Sequence, residues 1–266
     1  MLPMNRRQLI AAAGCSLFAP ALIRPARAAI GGVEEARFHH LVASYPDLLA
    51  KIEEGHLIWK DGTRMALDDG KVGKSFEQML RTASIADQMR QVYRAGKPGT
   101  NPGLNDSPGR IRHAPFFTRM YGDCKKGEVT RRMRAVTWMP KTRPQTIQVS
   151  TVNTVAGRLE KVISQLEGLP DRLKAFLIPS AGTYNCRVVA DTGMPSMHAS
   201  GAAIDIATAQ TDYWVWSRGK GAGTIPFKNR IPWEIAEIFE TEKFIWGGKW
   251  YHYDTMHFEY RPEMFG

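Results

Sequence analysis

The feature that most constrains this chain is a carboxylate set inside an apolar run, Gly201-Ala-Ala-Ile-Asp205-Ile-Ala207. An ionised Asp between Ile204 and Ile206 is costly to bury without a partner, so the fold must bring donors or a cation to it. His198 lies seven residues earlier, in Ser196-Met-His198-Ala-Ser-Gly201. That spacing suits one ligand in a turn and a second at the end of a short buried strand. Further on comes Trp246-Gly-Gly-Lys-Trp-Tyr-His252-Tyr-Asp254-Thr-Met-His257-Phe-Glu259. Imidazole and carboxylate are donors that zinc accepts, and a catalytic zinc keeps three protein ligands and one open position. Singly, each His also fits a hydrogen-bonded loop residue and Asp205 a helix cap or buried acceptor. Together the two segments point to a metal.

The rest of the chain reads as mixed helix and short strand without regular βαβ alternation, which makes the fold class α+β. Residues Glu34 to Ile52 are expected to be helical with a break near Pro46, and Ser84-Ile85-Ala86-Asp87 opens a helix expected to run to about Gly96. Gly96 to Gly109, with three Pro and four Gly in fourteen residues, is a loop and the best internal boundary. A short helix is expected over Ile111–Tyr121 and a strand over Thr146–Val149. From Val152 to Leu166 apolar residues follow helical spacing, and a further helix starts at Pro232 with Ile235, Ile238 and Phe239 on one face. Lys249 to Tyr260 is expected to be strand or extended chain.

The N-terminus pairs Arg6-Arg7 with an apolar stretch from Leu9 to Ile23 and an Ala26-Arg27-Ala28 cleavage pattern. This resembles a twin-arginine export signal over residues 1–28, and its apolar run of about 15 residues is short for a membrane span. Removing it takes four arginines and lowers the formal charge from +10 to +6. The expected location is periplasmic or extracellular. A basic chain suits an acidic neighbour, but export and the lack of a recognition motif disfavour nucleic acid. Cys124 and Cys186 remain after cleavage; in an oxidising compartment they can pair, and two buried thiols fit equally.

Ser-x-His-x-x-Gly-x-Ala-x-Asp, followed some fifty residues later by Asp-x-x-His in an aromatic, Gly-Gly-containing segment, resembles the VanY-type D-alanyl-D-alanine carboxypeptidases and the related L-alanyl-D-glutamate endopeptidases. The likeness spans Gly182 to Tyr260 well and extends loosely back to Pro108. It implies a small antiparallel sheet flanked by helices, the DD-peptidase/hedgehog-like zinc fold, over residues 106–266, with residues 29–105 as a helical N-terminal region. It also implies His198, Asp205 and His257 as zinc ligands and Asp254 as general acid/base, a position where many relatives carry Glu and the endopeptidase branch often has Asp. Arg187 resembles the upstream arginine that stabilises substrate or oxyanion, and Ser196 the serine that holds substrate.

The implied function is hydrolysis of peptidoglycan stem peptides, with water activated by zinc and Asp254. Carboxypeptidase and endopeptidase both remain open, as does a non-hydrolytic zinc module that binds wall peptides. His252 reads as a non-ligand and Glu259 as a residue that can orient His257. His39, His40, His56 and His113 show no ligand spacing. Five of the seven tryptophans (Trp214, Trp216, Trp233, Trp246 and Trp250) fall near the C-terminus, where core packing is favoured over a sugar platform. Oligomeric state is not legible.

Overall fold

The computed structural model describes residues 32–217 and 225–266 and is α+β; the expected export signal lies outside the described residues. α1 (Gly32–Ser44) is followed by β1 (Leu49–Glu53), β2 (His56–Trp59) and β3 (Arg64–Ala66), which pair as an antiparallel meander. The expected helix to Ile52, and with it the wholly helical character of residues 29–105, is therefore corrected. Glu54 (φ 48°) and Gly55 (φ 71°) both adopt left-handed backbone between the paired residues Glu53 and His56, the two-residue hairpin turn whose twist suits antiparallel strands. Alternation of buried and exposed side chains was masked in Leu49–Trp59 because three consecutive β2 residues, Leu57, Ile58 and Trp59, are buried.

α2 (Phe76–Thr82) and α3 (Ile85–Gln88) each start on a capping box, Ser75 with Gln78 and Ser84 with Asp87. α3 makes a single turn and does not reach Gly96. Beyond it the chain serves tertiary partners instead: Gln91 donates to the Asn105 carbonyl, and the Tyr93 hydroxyl donates to buried Glu240. The Gly/Pro-rich stretch after Gly96 carries no regular element before α4 (Ala114–Tyr121).

β4 (Met133–Trp138) and β5 (Gln145–Ser150) form a hairpin, followed by α5 (Val155–Leu166) and α6 (Asp171–Lys174). The apolar face read from sequence in α5 is the buried one. β6 (Ala203–Asp205), α7 (Trp214–Ser217), α8 (Trp233–Thr241), β7 (Phe244–Trp246) and β8 (His257–Tyr260) complete the order. The last sheet has strand order β6-β8-β7, all antiparallel. Pro232 caps α8, and Phe239 of that helix stacks on Phe258 of β8 at 3.8 Å between ring centroids.

Residues 32–266 form one compact unit, and Phe38 and Leu41 of α1 and Tyr45 just after it share an apolar cluster with Leu159 of α5, Ile204 of β6 and Phe258 of β8. The N-terminal region is thus part of the core that carries the site. Among the described residues no helix is long and apolar enough to cross a membrane.

Candidate metal centre

Antiparallel register places Asp205 of β6 directly opposite His257 of β8. His198 arrives from a short 3-10 turn, Met197–Ser200, that ends at Gly201 with left-handed backbone (φ 64°). A side chain at Gly201 would be strained by that φ and would crowd Met133 Cε (3.1 Å) and the Ser150 amide (3.3 Å). The small residues Ala202 and Ala203 then pass through the core to Asp205. The spacing His-x₆-Asp is thereby explained: a turn, one left-handed glycine, and a three-residue strand that ends on Asp205.

Ligand atoms of His198, Asp205 and His257 all lie within 4.8 Å of one another. Asp205 Oδ1 is 3.1 Å from His198 Nε2 and 3.0 Å from His257 Nδ1, and the two nitrogens are 3.2 Å apart. The far side of each ring assigns the tautomers. His198 Nδ1 donates to the Thr183 carbonyl at 2.8 Å, and His257 Nε2 donates to Glu259 Oε2 at 2.9 Å. In their neutral forms both rings therefore turn lone pairs toward the Asp205 carboxylate, with no hydrogen among the three groups. Three converging acceptors fit a divalent cation, and the His₂-carboxylate set with an open fourth position fits zinc.

Without a cation, the electrostatics show the same demand for positive charge. Burial acts against charge on His257, but hydrogen bonds to Asp205 and Glu259 outweigh it and raise the ring to about 9. Asp205 is held well below the usual carboxylate range: burial opposes this and the two imidazoles overcome it. Asp254 behaves oppositely. Burial, then the nearby Asp205 charge, pushes its carboxyl up to about 6, and its Oδ1 is buried without a hydrogen-bond partner. Its position depends on Gly247, whose carbonyl accepts from the Asp254 amide at 3.0 Å and where any Cβ would collide with the Asp254 carbonyl oxygen.

Glu259 is fully buried and bound on three sides, by His257, by Arg112 at 2.5 Å and by Arg261 at 2.8 Å. Burial would raise its pKa; Arg112, His257 and Arg261 reverse this and keep it ionised. Arg261 continues to Glu263 at 2.5 Å, and Glu263 accepts from the hydroxyl of Tyr45, the residue after α1, at 2.5 Å. A line of buried charge thus runs from a metal-donor ring to the end of the first helix. Glu259 was legible two residues beyond His257; Arg112 and Tyr45 were not, being far away in sequence with no local pattern to mark them.

Other expected site residues are placed differently. Ser196 caps the His198 turn, its Oγ accepting from the His198 amide at 3.3 Å, and with Arg187 it lines a cavity of about 450 Å³. Arg187 itself is exposed, and its guanidinium hydrogen bond goes to the Val188 carbonyl. The arginine whose charge bears on Asp254 is the buried Arg110, which sequence reading missed. His252 is outside the donor cluster; its ring stacks on Phe76 (5.5 Å) and meets Trp214 edge-on (4.9 Å). Trp214, Trp246 and Trp250 are buried, as core packing requires, while Trp216 is 58% exposed. Cys124 and Cys186 form a disulfide that ties the turn after α4 to the loop leading into Ser196 and His198. His40, His56 and His113 bond to backbone carbonyls, and His39 sits against Glu35, all outside the cluster.

Residues 190–260 match the model of a family described as D-alanyl-D-alanine carboxypeptidase. The matched span holds Ser196, His198, Asp205, Asp254 and His257, and leaves Arg187, Arg110, Arg112 and Tyr45 outside it. The match supports the VanY-type family without singling out a member. Comparison with curated proteins and with solved structures gives no match. The α+β fold, the His-Asp-His donor set and the match over residues 190–260 are those expected of a metallopeptidase.

Proposed function

We propose that this protein is an exported zinc peptidase that hydrolyses bonds in the stem peptides of bacterial peptidoglycan, as a D-Ala-D-Ala carboxypeptidase or an L-Ala-D-Glu-type endopeptidase. The observation that carries the reading is the convergence of three potential ligand atoms, His198 Nε2, Asp205 Oδ1 and His257 Nδ1, beside a carboxyl with an unpartnered buried oxygen, Asp254. Bound by those donors, zinc supplies Lewis-acid polarisation of the scissile carbonyl and acidifies water.

The chain's own residues do the rest. Thr183 and Glu259 fix the two imidazoles so that their lone pairs face the metal. Asp254, with a pKa raised to about 6, takes a proton from water as the carbonyl is attacked and passes it to the leaving amine. A carboxyl poised nearer neutrality than an ordinary Asp does both halves of that transfer well. The N-terminal Arg-Arg signal and the Cys124–Cys186 bridge support work outside the cytoplasm, where disulfides persist.

The test is digestion of purified muropeptides with zinc-loaded protein, followed by mass spectrometry. Loss of terminal alanine identifies the carboxypeptidase, and scission between L-Ala and D-Glu the endopeptidase. Unchanged muropeptides with zinc bound at full occupancy would instead support a non-hydrolytic binding module.

A further inference from the structure

We propose that Arg110 is the anion-binding group of this site and takes the free α-carboxylate of the residue that follows the scissile bond. The proposal rests on the peptidase reading above and adds the chemical feature by which substrate is chosen.

Arg110 is a buried guanidinium, its side chain 7% exposed, with five N–H donors to place. Its side-chain hydrogen bond runs from Nη2 to Asp191 Oδ2 at 2.7 Å, while its Nε is buried and lacks any acceptor. Nε and Nη2 are the two ends of one edge of the guanidinium, the fork that a carboxylate fills with both oxygens. Asp191 fills half of it. A buried donor left without a protein acceptor is destabilising, and here it offers a position for one oxygen of an anion.

The half-filled fork lies one aromatic ring away from a metal-donor residue. The Arg110 guanidinium lies 5.8 Å from the centroid of the Trp250 ring, and that ring is 5.6 Å from the ring of the metal donor His257. Tyr213, whose backbone bridges to Asp254, feels the charges of Asp254, Arg110 and Asp191 alike. Asp191 is the more exposed half of the pair: its side chain is 28% exposed, and Arg81 of α2 holds the loop by the Asp191 and Thr192 carbonyls rather than by the carboxylate.

Both candidate bonds offer the matching anion. In D-Ala-D-Ala the leaving residue carries the terminal carboxylate. In L-Ala-D-Glu the stem continues through the γ-carboxyl, so the leaving D-Glu keeps its α-carboxylate. In each, the carboxylate is one Cα away from the nitrogen that Asp254 must protonate. A single cation whose charge bears on Asp254 therefore serves either substrate, and an ordinary internal peptide bond presents nothing to it.

The experiment uses two peptide pairs: a stem ending in D-Ala-D-Ala as free acid and as C-terminal amide, and an L-Ala-γ-D-Glu stem with its α-carboxyl free or amidated. Zinc-loaded wild type, Arg110→Gln, Arg110→Lys and Arg187→Gln are compared for kcat and KM, with melting temperature as the folding control. Calorimetric binding of the same peptides to each protein on an Asp254→Asn background gives a second readout. The expected result is a preference for the acid of one pair, with the pair identifying the source. Arg110→Gln raises KM for that acid by about ten- to a hundredfold, the range for a hydrogen bond to a charged group, and leaves the amide alone. Arg110→Lys restores part of the preference, and Arg187→Gln keeps all of it. Retained discrimination in Arg110→Gln, or an equal fall in kcat for acid and amide, overturns the proposal. If wild type cleaves none of the peptides the peptidase reading fails by itself, and calorimetry still decides: Arg110-dependent tighter binding of an acid upholds the anion site, and equal binding of acid and amide removes it.

Discussion

Residues 190–260 and residues 32–112 meet on the same histidine and do different work there. The later segment presents the donors: His198, Asp205 and His257 come from one turn and two paired strands close in sequence or in register. The earlier segment supplies what keeps them in place. Arg112 grips Glu259 behind His257, Tyr45 ends the buried charge line through Glu263, Phe76 backs His252, and the charge of Arg110 bears on Asp254. A donor set is short and local because each ligand needs only its own backbone geometry. Its support is spread because buried charge must be answered from every side, by whichever element packs there.

The sharpest way to break this division is Asp254→Asn. It removes proton transfer without touching a donor, so hydrolysis should fall by about two to four orders of magnitude with zinc content unchanged in metal analysis. Near-normal turnover in the metal-loaded variant would move the base elsewhere. The support side is probed by Glu259→Gln, which should weaken zinc affinity by about 10–100-fold in a competitive chelator titration. Arg112→Met should do the same from the N-terminal side, and unchanged affinity would mean that residues 32–112 merely pack.

The pH profile comes next. With its carboxyl raised to about 6, Asp254 is protonated below that value and cannot accept a proton, so kcat/KM should fall about tenfold per unit on the acid side. A bound cation favours the carboxylate and moves that limb down, never up. The linked stability runs the other way: the native carboxyl holds its proton more tightly than the unfolded chain. Stability from Asp254 is therefore present at low pH and lost as pH rises from 3.8 through about 6, which metal-free melting curves can follow. Replacing both Cys124 and Cys186 by Ser should lower stability by about 4 kcal/mol, the entropic value for a loop of this size, read in a denaturant titration. The smallest effect is that of Tyr45→Phe, which removes one buried hydrogen bond to Glu263 and should cost about 1 kcal/mol while leaving zinc bound.

Much of the scaffold was legible along the chain because it rests on local periodicity and caps. α5 follows its apolar spacing, β5 (Gln145–Ser150) covers the expected strand, and α4 and α8 start within a few residues of their signals. The first sheet was not, although Glu54-Gly55 and Asp61-Gly62 are its turns: β2 is apolar without alternation, and three such residues fit helix and strand equally. α3 illustrates the converse, a sound capping box whose helix stops after one turn because Gln91 and Tyr93 have better partners in Asn105 and Glu240. For the site, ligand types and spacing were readable, but which arginine's charge bears on Asp254 was not. Arg187 had the closer sequence context; Arg110 has the burial and the electrostatic contact.

Residue types and spacing were enough to show that Asp205 needs donors or a cation, since an apolar run cannot bury a lone carboxylate, and to mark His198 and His257 as residues able to share one. Tertiary structure alone decided the rest: which ring nitrogens turn inward, through Thr183 and Glu259, and which distant residues hold them, through Arg112, Arg261 and Tyr45. The physical reason is range. Donor chemistry is a property of single residues at fixed spacing, whereas the orientation and charge of a buried ring depend on groups that meet only when the chain has folded.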